Sequence, residues 1–94
     1  MDDTRLKKIG FRAWHRGFRE ADLILGAFAD LRLPTMTSAE LDLFEELLEE
    51  ADHDIYDWIV GRTPTPPEFD NAIMNEIKAF RFTLHNVTGG GRGA

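Results

Sequence analysis

The chain has no cysteine among its 94 residues, which excludes disulfides and thiolate-bound metals and fits a reducing compartment. It has a single serine, Ser38. That residue lies at the entrance of a helical segment, where capping explains it and a nucleophilic triad does not. The three histidines, His15, His53 and His85, are too far apart to share ligand spacing, so a tetrahedral zinc site is not expected. Asp52-His53-Asp54 followed by Asp57 starts like a calcium loop, but Tyr56 takes the fifth position and no glutamate closes the twelfth. The glycines near the end lack the lysine and following helix of a phosphate loop, and no nucleotide or flavin fingerprint appears. An enzyme is therefore not expected, and no cofactor is expected to be bound by the chain itself.

Long apolar runs are missing too. No stretch approaches the roughly 20 residues of a membrane span, so no membrane insertion is expected. The acidic start, Met1-Asp2-Asp3-Thr4, is unlike a secretory signal, which makes a cytoplasmic location the expectation. A net charge of −6 disfavours nucleic acid as a partner. The charge is unevenly spread. Residues 5–19 carry Arg5, Lys7, Lys8, Arg12, Arg16 and Arg19 without an acid, whereas residues 40–57 carry nine acids without a lysine or arginine. Such bipolarity is able to orient a protein partner during encounter.

What is present is helical periodicity, with an apolar fraction of 43% and ten aromatic residues to build a core. Leu6, Ile9 and Ala13 mark a first helix over 4–15, which Gly17 ends. Ala21, Ile24, Phe28 and Leu31 mark a second over 18–31, and Pro34 enforces a stop. Thr37 with Glu40 reads as a capping box that opens a third helix bearing Leu41, Phe44, Leu48 and Ala51. Ile55, Trp58 and Ile59 define a short fourth helix over 52–60, stopped at Gly61. The prolines at 64, 66 and 67 make an extended connector, and Phe69, Ile73, Ile77, Phe80 and Leu84 stripe a fifth helix over 67–83. The expectation is an all-α, compact single-domain bundle of about five short helices over residues 1–86. The glycine-rich residues 87–94 read as a flexible tail.

One junction is not explained by helix chemistry alone: His15-Arg16-Gly17-Phe18-Arg19-Glu20, where two arginines surround a helix break. Arg16-Gly17-Phe18-Arg19-Glu20 resembles the Arg-Gly-x-x-Glu motif of the succinate dehydrogenase assembly (flavinylation) factors, and Ala21-Asp22-Leu23-Ile24-Leu25 continues the likeness. Asp52-His53-Asp54-Ile55-Tyr56-Asp57-Trp58-Ile59 is similar to a second signature of that family. The resemblance spans about residues 5–84; the proline-rich connector and the tail depart from the pattern.

The resemblance implies a non-catalytic helper. It would bind the flavoprotein subunit of succinate dehydrogenase, and that of the related fumarate reductase, and promote covalent attachment of FAD to a histidine of that subunit. The bond joins a flavin methyl carbon to an imidazole nitrogen, and the helper needs only to hold the reacting groups close and limit water. Carried over by the motif, Arg16, Gly17, Arg19 and Glu20 would form an exposed contact surface, with Asp52, Asp54 and Tyr56 as further partner-facing residues. A Gly17→Arg or Glu20→Ala variant is then expected to fold and fail in flavinylation. Another class of function also fits the charge pattern: an acidic helical adaptor or antitoxin-like regulator whose residues 40–57 mask a basic partner.

Overall fold

A computed structural model describes residues 3–85. The glycine-rich tail expected at 87–94 lies outside the described residues. Five α-helices follow one another: α1 (Asp3–Trp14), α2 (Arg19–Arg32), α3 (Ser38–Leu48), α4 (Asp52–Val60) and α5 (Ala72–His85). Short 3₁₀ turns at Leu33–Thr35 and Pro67–Phe69 link α2 to α3 and α4 to α5. Among the described residues there is no strand, and no helix is long and apolar enough to cross a membrane.

The helix starts and stops follow local chemistry. Thr37 Oγ1 accepts the Glu40 N–H at 3.2 Å while the Glu40 carboxylate accepts the Thr37 N–H at 2.9 Å, which completes the capping box of α3. The Thr37 N–H, helped by Arg32, holds the Glu40 carboxyl below its ordinary range. A depressed carboxyl stabilises the fold above its unfolded-state pKa, and that contribution is lost as pH falls through the folded value. Thr37→Ala is expected to cost about 1 kcal/mol in urea unfolding at neutral pH. Glu40→Gln should flatten the acid limb of the stability profile, which unfolding curves at pH 7 and below 4 will resolve.

Gly61 ends α4 in the left-handed conformation (φ 81°). The fifth helix begins later than its periodicity indicates. Pro67 opens a 3₁₀ turn instead, and Asn71 starts the α-helix by accepting the Met74 N–H at 3.0 Å. Asparagine at that position competes better for the free N–H groups than a proline-initiated start five residues earlier.

The core is a single cluster with α2 at its centre. Phe28 meets Phe44 of α3 and Phe80 of α5 edge-on, with ring centroids 5.6 and 5.8 Å apart. Ile9 and Ala13 of α1, Ile55, Trp58 and Ile59 of α4, and Ile73, Met74 and Ile77 of α5 are buried around it. Phe69 still joins the core from the 3₁₀ turn by stacking on Trp58 at 5.3 Å. Leu31 and Ala51 depart from their expected stripes. Leu31 lies on the outer side of α2 and is exposed, while Phe28, Ala29 and Leu33 around it stay in the core, and Ala51 is the exposed residue that introduces α4.

Helices α1 and α2 come closest where Trp14 lies across Gly26. A Cβ at position 26 would sit 2.1 Å from the indole ring, so only glycine fits without moving it. Gly26→Ala is expected to destabilise the chain by on the order of 1–3 kcal/mol through overpacking, and to shift tryptophan emission as the ring swings outward. Wild-type emission and stability in that variant would contradict this packing.

The uneven charge of the sequence is largely answered within the molecule. Arg5 reaches Asp42 and Glu45 at 2.6 Å each, Arg12 reaches Glu49 at 2.8 Å, and Arg16 reaches Asp52 at 2.9 Å. Residue numbers rise together along this row, so α1 and α3 run in the same direction. Glu45 and Asp42 raise the Arg5 pKa further above its ordinary value. The more exposed pairs of Arg5 and Arg12 contribute little individually, roughly 0–1 kcal/mol, and serve mainly to fix which face of α1 meets α3.

Candidate functional site

The corner between α1 and α2 turns on Gly17. Its φ of 117° lies where a side chain is strained, and a Cβ there would come within 2.9 Å of Asp52 Oδ2. Glycine is needed twice over, for the dihedral and for the close approach of the α3–α4 corner.

Arg16 ties the two corners together. Its Nη2 donates to the Glu50 carbonyl at 2.9 Å, and its Nε lies 2.9 Å from Asp52 Oδ1. The Nε approach is an ion pair without hydrogen-bond alignment, since that buried nitrogen has no acceptor. The Arg16 backbone N–H donates to Asp22 Oδ1 at 2.5 Å. The Arg16 side chain is only 9% exposed. The expectation of an exposed Arg16 is therefore corrected. The Glu50 carbonyl left free at the end of α3, and the Asp52 carboxylate opening α4, draw the guanidinium inward. Its place is as a strut beneath the surface.

That strut leaves other motif residues outward. Gly17, Arg19 and Glu20 are exposed, and neither the Arg19 guanidinium nor the Glu20 carboxylate has a partner among the described residues. Glu20 lies in the first turn of α2, where a negative charge suits the helix dipole without being tied to a hydrogen bond. Across the corner, Phe18 stacks on His53 (centroids 4.8 Å, planes 11° apart) and meets Tyr56 edge-on at 5.3 Å. The Arg62 guanidinium lies over the Tyr56 ring, 6.0 Å from its centroid.

The two sequence signatures thus meet in space. The structure brings Arg16 and Gly17 to Asp52, and Phe18 to Tyr56. Asp54 is exposed without a partner among the described residues, whereas Asp52 and Tyr56 are half-buried. Sequence reasoning missed Asp22, the Glu50 carbonyl and the Phe18–His53 stack. Asp22 had a visible signal, an acid two residues past Glu20; a backbone carbonyl has none.

Trp14, His15, Gly17, Phe18, Arg19 and Leu23 border a shallow open depression at the corner. Among the described residues no group of three or more histidines or acids is placed to hold a metal. The geometry offers a preformed surface with an accessible backbone turn, flanked by Arg19 and Glu20, which have no partner among the described residues. It suits recognition of another macromolecule.

Comparison with known proteins agrees with the motif. The FAD assembly factor SdhE of Acetobacter pasteurianus is 42% identical over 65 residues, which cover 69% of this chain and 60% of that protein. The mitochondrial succinate dehydrogenase assembly factor 2 of Dictyostelium discoideum is 33% identical over 72 residues (77% and 51%). That of Komagataella phaffii is 35% identical over 81 residues (82% and 43%). The chain thus matches about half the length of these curated relatives. A family model described as flavinator of succinate dehydrogenase matches residues 7–81, most of the chain and all of the corner just described. The chain belongs to the family of succinate dehydrogenase flavinators.

Proposed function

We propose that this chain is an assembly factor that binds the flavoprotein subunit of succinate dehydrogenase and promotes covalent attachment of FAD to its histidine. The observation that carries this reading is the α1–α2 corner, where a buried Arg16 holds Gly17 and an unpaired Glu20 outward within the segment shared with the family. The factor supplies no reactive group. It braces the flavoprotein so that the histidine nitrogen and the flavin methyl carbon stay within reach and water is kept from them. Gly17 lets the partner's backbone approach closely. Glu20 accepts hydrogen bonds from the partner, and as a charged acceptor it makes strong ones. The family resemblance extends the client range to the fumarate reductase flavoprotein.

The rival reading, an acidic adaptor acting through residues 40–57, loses its footing in the ion-pair row. Asp42, Glu45, Glu49 and Asp52 already face arginines of the same chain.

The test is recovery of the tagged chain from its own cells, together with a deletion strain. The flavoprotein subunit is expected to come down with the chain, and in the deletion strain it is expected to lack covalent flavin. Full covalent flavin in the deletion strain would refute the reading.

A further inference from the structure

Helix α1 has two charged faces with opposite fates. Arg5 and Arg12 turn inward to acids of α3, and Arg16, just past the end of α1, turns inward to Asp52 of α4. Lys7 and Lys8 turn outward and have no partner among the described residues. Between them, Phe11 is 64% exposed, unusual for so large an apolar side chain. It is held in place, because His15 stacks on it with ring centroids 3.9 Å apart. His15 Nδ1 lies 2.6 Å from the Phe11 carbonyl oxygen. A carbonyl only accepts, so Nδ1 is the donor, and this bond holds the ring against the Phe11 backbone.

Beside Phe11 runs a groove whose floor is apolar: Leu6, Gly10, Ala29, Leu33 and Pro34. Asp30 at its edge is engaged by the Trp14 indole N–H at 3.3 Å. Through Trp14 and His15 the groove continues into the depression that carries Gly17 and Arg19. In a chain of net charge −6, Lys7, Lys8 and Arg19 along this face have no partner among the described residues, whereas its two lining acids, Asp22 and Asp30, accept the Arg16 backbone N–H and the Trp14 indole N–H.

We propose that this outer face of α1 is a second docking surface, which takes an acidic segment of the client flavoprotein anchored by an apolar side chain beside Phe11. The proposal rests on the reading of the chain as a flavoprotein-binding assembly factor, and it enlarges the contact from one corner to a strip more than two helical turns long. The pinned aromatic supplies a rigid anchor and the lysines supply steering. An anionic membrane is a poorer match, since three cations sit on a chain that is acidic as a whole.

The test uses the full chain and purified succinate dehydrogenase flavoprotein subunit without covalent flavin. The variants are Lys7→Glu with Lys8→Glu, and Phe11→Ser; all three positions are exposed or half-exposed, and thermal melts check their folding. The lysine pair variant is expected to slow association about tenfold and to weaken the salt dependence of binding. Phe11→Ser is expected to speed dissociation about tenfold. If both variants bind like wild type while Glu20→Ala does not, the second surface is wrong and the assembly-factor reading stands. If the wild-type chain itself does not bind, both fall. Phosphatidylglycerol vesicles and sedimentation provide the other arms. Vesicle binding or self-association that Phe11→Ser abolishes, with flavoprotein binding unchanged, overturns the proposal in favour of a membrane or a second copy.

Discussion

Arg16→Ala is expected to remove about 3 kcal/mol of stability, a large fraction of what a domain of this size possesses. The guanidinium ties the α1–α2 corner to the α3–α4 corner through the Glu50 carbonyl and Asp52, beneath the Phe18 stack on His53. Its removal leaves a part-buried carbonyl without this donor and a half-buried carboxylate without a counter-charge. It also frees Gly17, which sits against that carboxylate. Arg16→Lys should recover only part of the loss, because one ammonium does not span both acceptors in the same fork. Asp52→Asn should cost less than Arg16→Ala, since Asp52 is 30% exposed and water partly replaces its partner. Denaturant midpoints of the three variants check the order. Equal stability of Arg16→Ala and wild type would remove the strut from the account.

Glu20→Ala is expected to behave in the opposite way, with stability within about 0.5 kcal/mol of wild type and a loss of helper activity of about tenfold or more. The carboxylate is exposed and unpartnered, so the free protein loses only a favourable position in the first turn of α2. In the complex, the donor that it would face is left desolvated and unpaired, which is the costlier defect. Gly17→Arg is a poorer probe than the motif alone indicates. A side chain at φ 117°, aimed at Asp52 from 2.9 Å, strains the corner before any partner arrives. A failure of that variant would mix folding with recognition, so Glu20 carries the cleaner test.

Much of the fold was legible from periodicity because each helix turns one apolar stripe to a common centre. The capping box at Thr37 and the stop at Gly61 are local chemistry and appear where the sequence places them. The start of α5 was not legible, because Pro67 and Asn71 compete to begin it and the 3₁₀ turn between them keeps Phe69 in the core. Nor was the fate of the charges. The sequence shows a basic stretch over 5–19 and an acidic one over 40–57, but only the parallel placement of α1 and α3 turns them into pairs. The candidate site was half legible. The helix break and its flanking charges pointed to the corner, whereas the inward turn of Arg16 depends on a backbone carbonyl 34 residues away, which no side-chain pattern encodes.

The central claim is that this chain speeds covalent flavin attachment through its Gly17–Glu20 corner. The most direct measurement mixes FAD with the purified flavoprotein lacking covalent flavin, with and without the chain. Covalent product is followed by flavin fluorescence on denaturing gels. The account predicts faster attachment with the wild-type chain and a rate close to that without it for folded Glu20→Ala. An unchanged rate on adding the wild-type chain, or full acceleration by Glu20→Ala, would contradict it.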